Sequence, residues 1–196
     1  MTNEITALFL AVYFTVVAVF YLFRLNMTAT QKVFNGRALS MEWLGQWTFK
    51  VFQWVIWAIC VARVFNPSID RWLWVFEGLH NAWVNMAGLA ILLVGTIGVV
   101  WAHFALGASW SSGVNANGNQ ALIETGIYHY SRNPIFISVM LCQLGFFLLL
   151  PSLFSLICLS LGCFFIIRQV AVEERFLSQR FGAAYQQYQS ATPRWI

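Results

Sequence analysis

Five apolar runs, each near the length needed to cross a bilayer, follow one another along the chain at about 5–23, 43–65, 79–106, 134–150 and 152–167. A hydrocarbon core of about 30 Å takes about 20 residues of helix at 1.5 Å rise per residue. Composition supports lipid as the main solvent. Sixty per cent of the 196 residues are hydrophobic, and eleven Lys/Arg with seven Asp/Glu are too few to coat a water-soluble domain of this size. Mean hydropathy is +0.68. The fold class expected is therefore all-α, a multi-pass transmembrane helical bundle of about five spans. A net charge of +4 would suggest nucleic acid in a soluble domain. Here the basic residues sit in short connectors between apolar runs, so they read as topology signals and nucleic acid is not expected.

Five spans put the two termini on opposite sides. Arg24, Lys32, Arg37, Arg132, Arg168, Arg175, Arg180 and Arg194 collect on one side, against Arg63 and Arg71 on the other, with Lys50 inside a span. The positive-inside rule places the C-terminus and the 107–133 connector in the cytoplasm and the N-terminus outside. The opening MTNEITALFL has neither a basic leader region nor a small-residue cleavage pattern, and reads as a retained first span. Lys50 is expected to snorkel toward the cytoplasmic interface. His80 and His103 read as interfacial histidines, and tryptophans near span ends as an interfacial belt. Pro151 breaks the last apolar stretch and marks the tip of a tight helical hairpin. Cys60, Cys142, Cys158 and Cys163 lie within apolar stretches without metal-ligand spacing, so buried thiols are expected and no metal site.

Polar chemistry concentrates in two segments. The connector 107–132 is longer than most helix–helix loops and is rich in Gly, Ser and Asn, yet it carries Trp110, Leu122, Ile123, Ile127, Tyr128 and Tyr130 as apolar anchors. It is expected to fold back over the helix ends. It finishes in Arg132-Asn133-Pro134, where Asn133 reads as a helix N-cap and Pro134 as the first helical residue. The free N–H groups of that terminus, with Arg132 beside them, suit a carboxylate or phosphate. Beyond the last span, Val172, Phe176, Phe181, Tyr185 and Tyr188 fall roughly on one helical face, marking an amphipathic helix with a bend at Gly182. Glu173 and Glu174, two of the six glutamates, stand adjacent where the last span leaves the bilayer.

The spacing of Gly126, Tyr128, Arg132, Asn133, Pro134, Phe136 and Ser138 resembles the G-x-Y-x-x-x-R-H-P-x-Y-x-G/S signature of the isoprenylcysteine carboxyl methyltransferase family and its phospholipid methyltransferase relatives. Asn133 stands at the family's histidine, Phe136 at its tyrosine. Glu173-Glu174, then Phe181-Gly182-x-x-Tyr185-x-x-Tyr188 and Pro193-Arg194, is similar to the family's tail; Leu106-Gly107-x-x-Trp110-Ser111 and Leu122-Ile123-x-x-Gly126 are similar upstream. The resemblance covers about 103–195.

It implies a membrane methyltransferase using S-adenosylmethionine, with the connector and the C-terminal amphipathic helix closing a cofactor pocket. Residues 1–102 would be the N-terminal spans on the substrate side, and 103–196 the cofactor-binding region. Leu122, Ile123, Gly126, Tyr128, Arg132, Asn133, Pro134 and Glu174 are the implied cofactor-binding residues; Glu173 and Arg168 are the implied catalytic pair, with Arg168 orienting an acceptor carboxylate. Such a carboxylate is already ionised at neutral pH, so methyl transfer to it needs no general base. The partners implied are the bilayer and a lipophilic small molecule or lipidated peptide, isoprenylcysteine-like by resemblance. The alternatives are an NAD(P)H-dependent membrane reductase of sterol-like substrates and a phospholipid or small-thiol methyltransferase.

Overall fold

The computed structural model describes residues 3–28, 41–107 and 122–196. The elements are α1 (Asn3–Thr28), α2 (Met41–Phe65), a short α3 (Asp70–Leu73), α4 (Ala82–Leu106), α5 (Pro134–Leu149), α6 (Leu153–Phe181) and α7 (Ala183–Ala191). All five apolar runs are helical. Three of the helices are long and apolar enough to cross a membrane, and two further stretches, Glu4–Phe20 and Pro134–Leu149, are shorter apolar helices. Large apolar side chains such as Leu8, Val12, Val16 and Val19 on α1 and Val94, Ile97, Trp101 and Phe104 on α4 remain exposed. Lipid rather than water is the solvent that such a surface requires.

Glycine sets the closest backbone approach, between α4 and α5. A Cβ on Gly145 would stand 2.6 Å from the Leu92 nitrogen and 2.8 Å from the Gly88 oxygen, and one on Gly95 would stand 2.8 Å from the Cys142 nitrogen. Backbones approach this closely only where the side chain is a hydrogen atom. Around that seam Leu10 of α1, Cys60 of α2, Leu73 of α3, Leu92 of α4 and Phe146 and Leu149 of α5 form the buried core, and the Phe14 ring meets Phe146 edge-on at 5.1 Å. Inside the bundle Tyr13 Oη pairs with Thr96 Oγ1 across α1 and α4 at 2.9 Å. His103, expected at the interface, is instead buried, its Nδ1 2.8 Å from the Val99 carbonyl and its ring edge-on to Phe20. Lys50 is exposed and lies 5.4 Å over the ring of Trp47, one turn nearer the start of α2.

The hairpin tip falls at Pro151. α5 stops at Leu149, and α6 opens with a reciprocal cap in which the Ser152 hydroxyl accepts from the Ser155 N–H and the Ser155 hydroxyl accepts from the Ser152 N–H, both at 3.2 Å. The connector after α3 clamps onto this tip: the Phe76 N–H donates to the Pro151 carbonyl at 2.7 Å, and the Leu153 N–H to the Trp74 carbonyl at 3.0 Å.

Two sequence expectations change. The third span begins three residues later than its hydropathy suggests, because Asn81 caps it through Oδ1 and Val84 N–H at 3.0 Å. The amphipathic segment is no separate helix after the last span. Residues 168–181 continue α6 without a break, since nothing between Ser152 and Gly182 interrupts the hydrogen-bonded ladder. At 29 residues, about 43 Å long, α6 outreaches a hydrocarbon core of about 30 Å, so its charged C-terminal turns stand beyond the lipid. Gly182, at φ +52, ends α6 at the bend read from sequence and turns the chain into α7.

Candidate active site

The start of α5, the protruding end of α6, α7 and the C-terminal tail converge at the end of the bundle away from the hairpin tip. Glu174 is the hub. Its Oε2 accepts from Arg194 Nη2 at 2.6 Å and Nε at 3.0 Å, and its Oε1 accepts from Asn133 Nδ2 at 3.1 Å and lies 3.5 Å from Arg132 Nη2. A buried carboxylate is stable only when paired and hydrogen-bonded, and here four donors from two distant segments supply that.

The tail is laced to the 128–133 segment by backbone as well as side chains. Arg132 N–H donates to the Pro193 carbonyl at 3.0 Å, Ser131 Oγ and Asn133 Nδ2 both donate to the Arg194 carbonyl, Thr192 Oγ1 donates to the His129 carbonyl, and Tyr188 Oη donates to the Tyr128 carbonyl at 2.6 Å. Asn133 does occupy the N-cap position with Pro134 following, but its side chain does not cap. With ψ at 47° and its amide drawn to Glu174 and Arg194, it makes no hydrogen bond to the first turn of α5. The cap expected from sequence is thus a cross-link between α5 and α6.

Two buried donors in this cluster have no partner among the described residues: Arg132 Nε and the hydroxyl of Tyr185, a residue only 1% exposed. Burial chiefly, and then the charge of Glu174, push the Tyr185 phenol up to about 12, so it is an O–H donor at neutral pH. Burial also raises the Tyr128 phenol, assisted by the neighbouring charge of Glu173, and raises Tyr188. The hydrogen bonds to Glu174 raise Arg194 further above its ordinary value.

The remaining sequence candidates divide. Tyr128 and Pro134 are buried at the cluster, and Leu122 and Ile123 are half-buried ahead of it. Gly126, at φ +65, makes the turn into the 3₁₀ segment Gly126–His129 that carries Tyr128. Glu173 is half-buried and accepts from Gln169 Nε2 at 2.9 Å. Arg168 is exposed on α6, about 9 Å of helix rise before Glu174, and forms no ion pair among the described residues. The glutamate hub therefore gathers Arg132, Asn133 and Arg194 but not Arg168. Trp110 and Ser111, and the expected fold-back of the connector, lie outside the described residues. Sequence reasoning did not select Tyr185, Tyr188, Ser131, Thr192 or Arg194 as site residues, although three of them fall in the tail motif it quoted.

Among the described residues, an all-helical bundle with exposed apolar flanks and a buried, charged cluster at one end defines a multi-pass membrane protein with a polar site at that end. Residues 83–184 match the phospholipid methyltransferase family, and the chain belongs to it. Among curated proteins it is similar to protein-S-isoprenylcysteine O-methyltransferase of Schizosaccharomyces pombe, with 32% identity over 81 residues, 41% of this chain and 34% of the relative. The chain thus spans about a third of the length of that relative. No solved structure matches it.

Proposed function

We propose that the protein is an S-adenosylmethionine-dependent methyltransferase that esterifies the carboxylate of a lipophilic acceptor, an isoprenylcysteine or a lipidated peptide ending in one. The observation that carries this is the pair of buried, unpartnered donors, Arg132 Nε and Tyr185 Oη, beside a glutamate whose own oxygens are already bonded. They suit the carboxylate of an aminoacyl group such as the cofactor carries, because an anion restores hydrogen bonds that burial has removed. When bound, S-adenosylmethionine supplies an electrophilic methyl group on a sulfonium.

The chain's own residues supply the setting. Glu174 holds Arg132 and Asn133 in place across α5 and α6. The half-buried Glu173 would take the cofactor's ammonium, Tyr128 would offer its ring to the cationic centre, and Leu122 and Ile123 would hold the base against apolar side chains. Arg168, exposed where α6 leaves the lipid, receives the acceptor carboxylate. That carboxylate is ionised at neutral pH, so orientation and exclusion of water dominate. The acceptor enters sideways from the bilayer and the cofactor from the cytoplasm, the side the basic residues mark.

Membranes containing the protein, incubated with methyl-labelled S-adenosylmethionine and an S-farnesylcysteine derivative, should yield base-labile label in the acceptor. Arg132→Ala and Tyr185→Phe should each weaken cofactor binding about tenfold, as loss of a charge-assisted or buried hydrogen bond does. Arg168→Ala should lower kcat at unchanged cofactor affinity. Label confined to phospholipid amines would reassign the acceptor, and binding of NADPH without S-adenosylmethionine would overturn the proposal.

A further inference from the structure

The opposite end of the bundle holds a cavity of about 380 Å³, lined by Asp70, Arg71, Trp74, Val75, Glu77 and His80. It is separated from the Glu174 hub by the length of α5, about 24 Å for 16 residues. Its volume falls in the range of about 300–1,000 Å³ typical of small-ligand sites.

The charges in this cavity are of both signs and differ in availability. Asp70 is neutralised: Arg63 Nε reaches Oδ1 at 2.5 Å and Nη2 reaches Oδ2 at 3.1 Å, from a guanidinium side chain only 3% exposed. Arg71 and Glu77, in contrast, are exposed and enter no ion pair among the described residues. One cationic and one anionic group are therefore available in the same cavity. Trp74 lies between them in sequence, exposed, and held in the left-handed region at φ 54. Its carbonyl is fixed by Leu153 N–H and its neighbour Val75 bridges to Ser152, so the indole is presented from a clamped backbone. Close by in sequence, Phe65, Trp72 and Trp83 are each at least 80% exposed, as aromatic side chains at a lipid–water interface are.

We infer that this cavity binds a phosphoamine zwitterion, a phosphate joined by a short linker to an ammonium group, as in a phosphocholine or phosphoethanolamine headgroup. Arg71 pairs with the phosphate, Glu77 with the ammonium, and the Trp74 face adds cation–π attraction. The exposed aromatics nearby in sequence suit headgroup depth, at the end of the bundle opposite the Glu174 hub. The site is independent of the methyl-transfer chemistry.

Calorimetry on the purified full-length protein tests this with five probes: phosphocholine, phosphoethanolamine, dihexanoylphosphatidylcholine below its micelle concentration, glycerol 3-phosphate and choline. The zwitterions should bind at least tenfold more tightly than glycerol 3-phosphate or choline alone. Arg71→Gln, Glu77→Gln and Trp74→Leu should each weaken zwitterion binding, the two charge variants about tenfold with unaltered thermal unfolding. Tighter binding of the short-chain lipid than of free phosphocholine assigns the source as membrane lipid, and equal binding assigns a soluble phosphoamine; both support the site. Equal affinity for a half-ligand and a zwitterion, or no binding of any zwitterion, overturns the inference. The half-ligand comparison needs only the unmutated protein, so it stands even if a variant fails to fold.

Discussion

Replacing Glu174 by Gln keeps the side chain's size and one acceptor oxygen but removes the charge at the centre of the hub. The cost follows from what is left behind. Arg132, with its side chain 10% exposed, loses its ion pair 3.5 Å away, and Arg194, 50% exposed, loses contacts at 2.6 and 3.0 Å. An uncompensated buried cation costs about 3–5 kcal/mol, whereas a half-exposed arginine regains water at little cost. For a chain of this length that amounts to a fall in Tm on the order of 10 °C. Arg194→Ala removes only the exposed partner and leaves Glu174 with Asn133 and Arg132, so about 1 kcal/mol is expected. Differential scanning fluorimetry of the two variants and the double variant in one detergent gives the ranking directly. The double variant should fall well short of the summed losses, because both act on one network. Equal losses from Glu174→Gln and Arg194→Ala, or a Glu174→Gln protein within about 2 °C of the parent, would refute the assignment of Glu174 as the buried hub.

Gly145→Ala should destabilise by about 1–3 kcal/mol through overpacking against Leu92 and Gly88, while Gly78→Ala, which meets nothing within 4 Å, should leave the melting temperature unchanged. Gly182→Ala should cost about 1 kcal/mol because its φ of +52 is unfavourable for a residue with a Cβ; the same thermal melt reads it. The folded Tyr185 phenol is raised to about 12 against an ordinary value of 10. Its contribution to stability is thus complete below pH 10 and is lost as pH rises from 10 through 12. Melts across that window should show an alkaline decline that is shallower in Tyr185→Phe; an identical slope would refute the burial argument.

The route from sequence to site is uneven for a physical reason visible in Asn133. An Asn-Pro step before an apolar run is a sufficient local signal for a helix start, and α5 does start there. Which atoms the Asn133 amide touches depends on a carboxylate 41 residues away and a carbonyl 61 residues away, and no local pattern encodes either. Tyr185 is similar: its place on an apolar helical face is readable, but the absence of a partner for its hydroxyl is a property of the assembled cluster. Arg63 reads in the sequence only as a topology signal, and the turn after α2 is what brings Asp70 within 2.5 Å of it.

The sequence by itself determined the five apolar helices, the hairpin tip at Pro151 and the bend at Gly182, because bilayer length, missing N–H groups and left-handed backbone act over a few residues. It also marked 126–138 and 173–194 as the chemically distinctive stretches. Only the tertiary structure decided that these stretches close on one glutamate, that Asn133 cross-links instead of capping, and that Arg71 and Glu77 share a cavity at the other end. Charge pairing is set by distances across the fold, and a chain spaced by intervening spans leaves those distances undetermined until the helices pack.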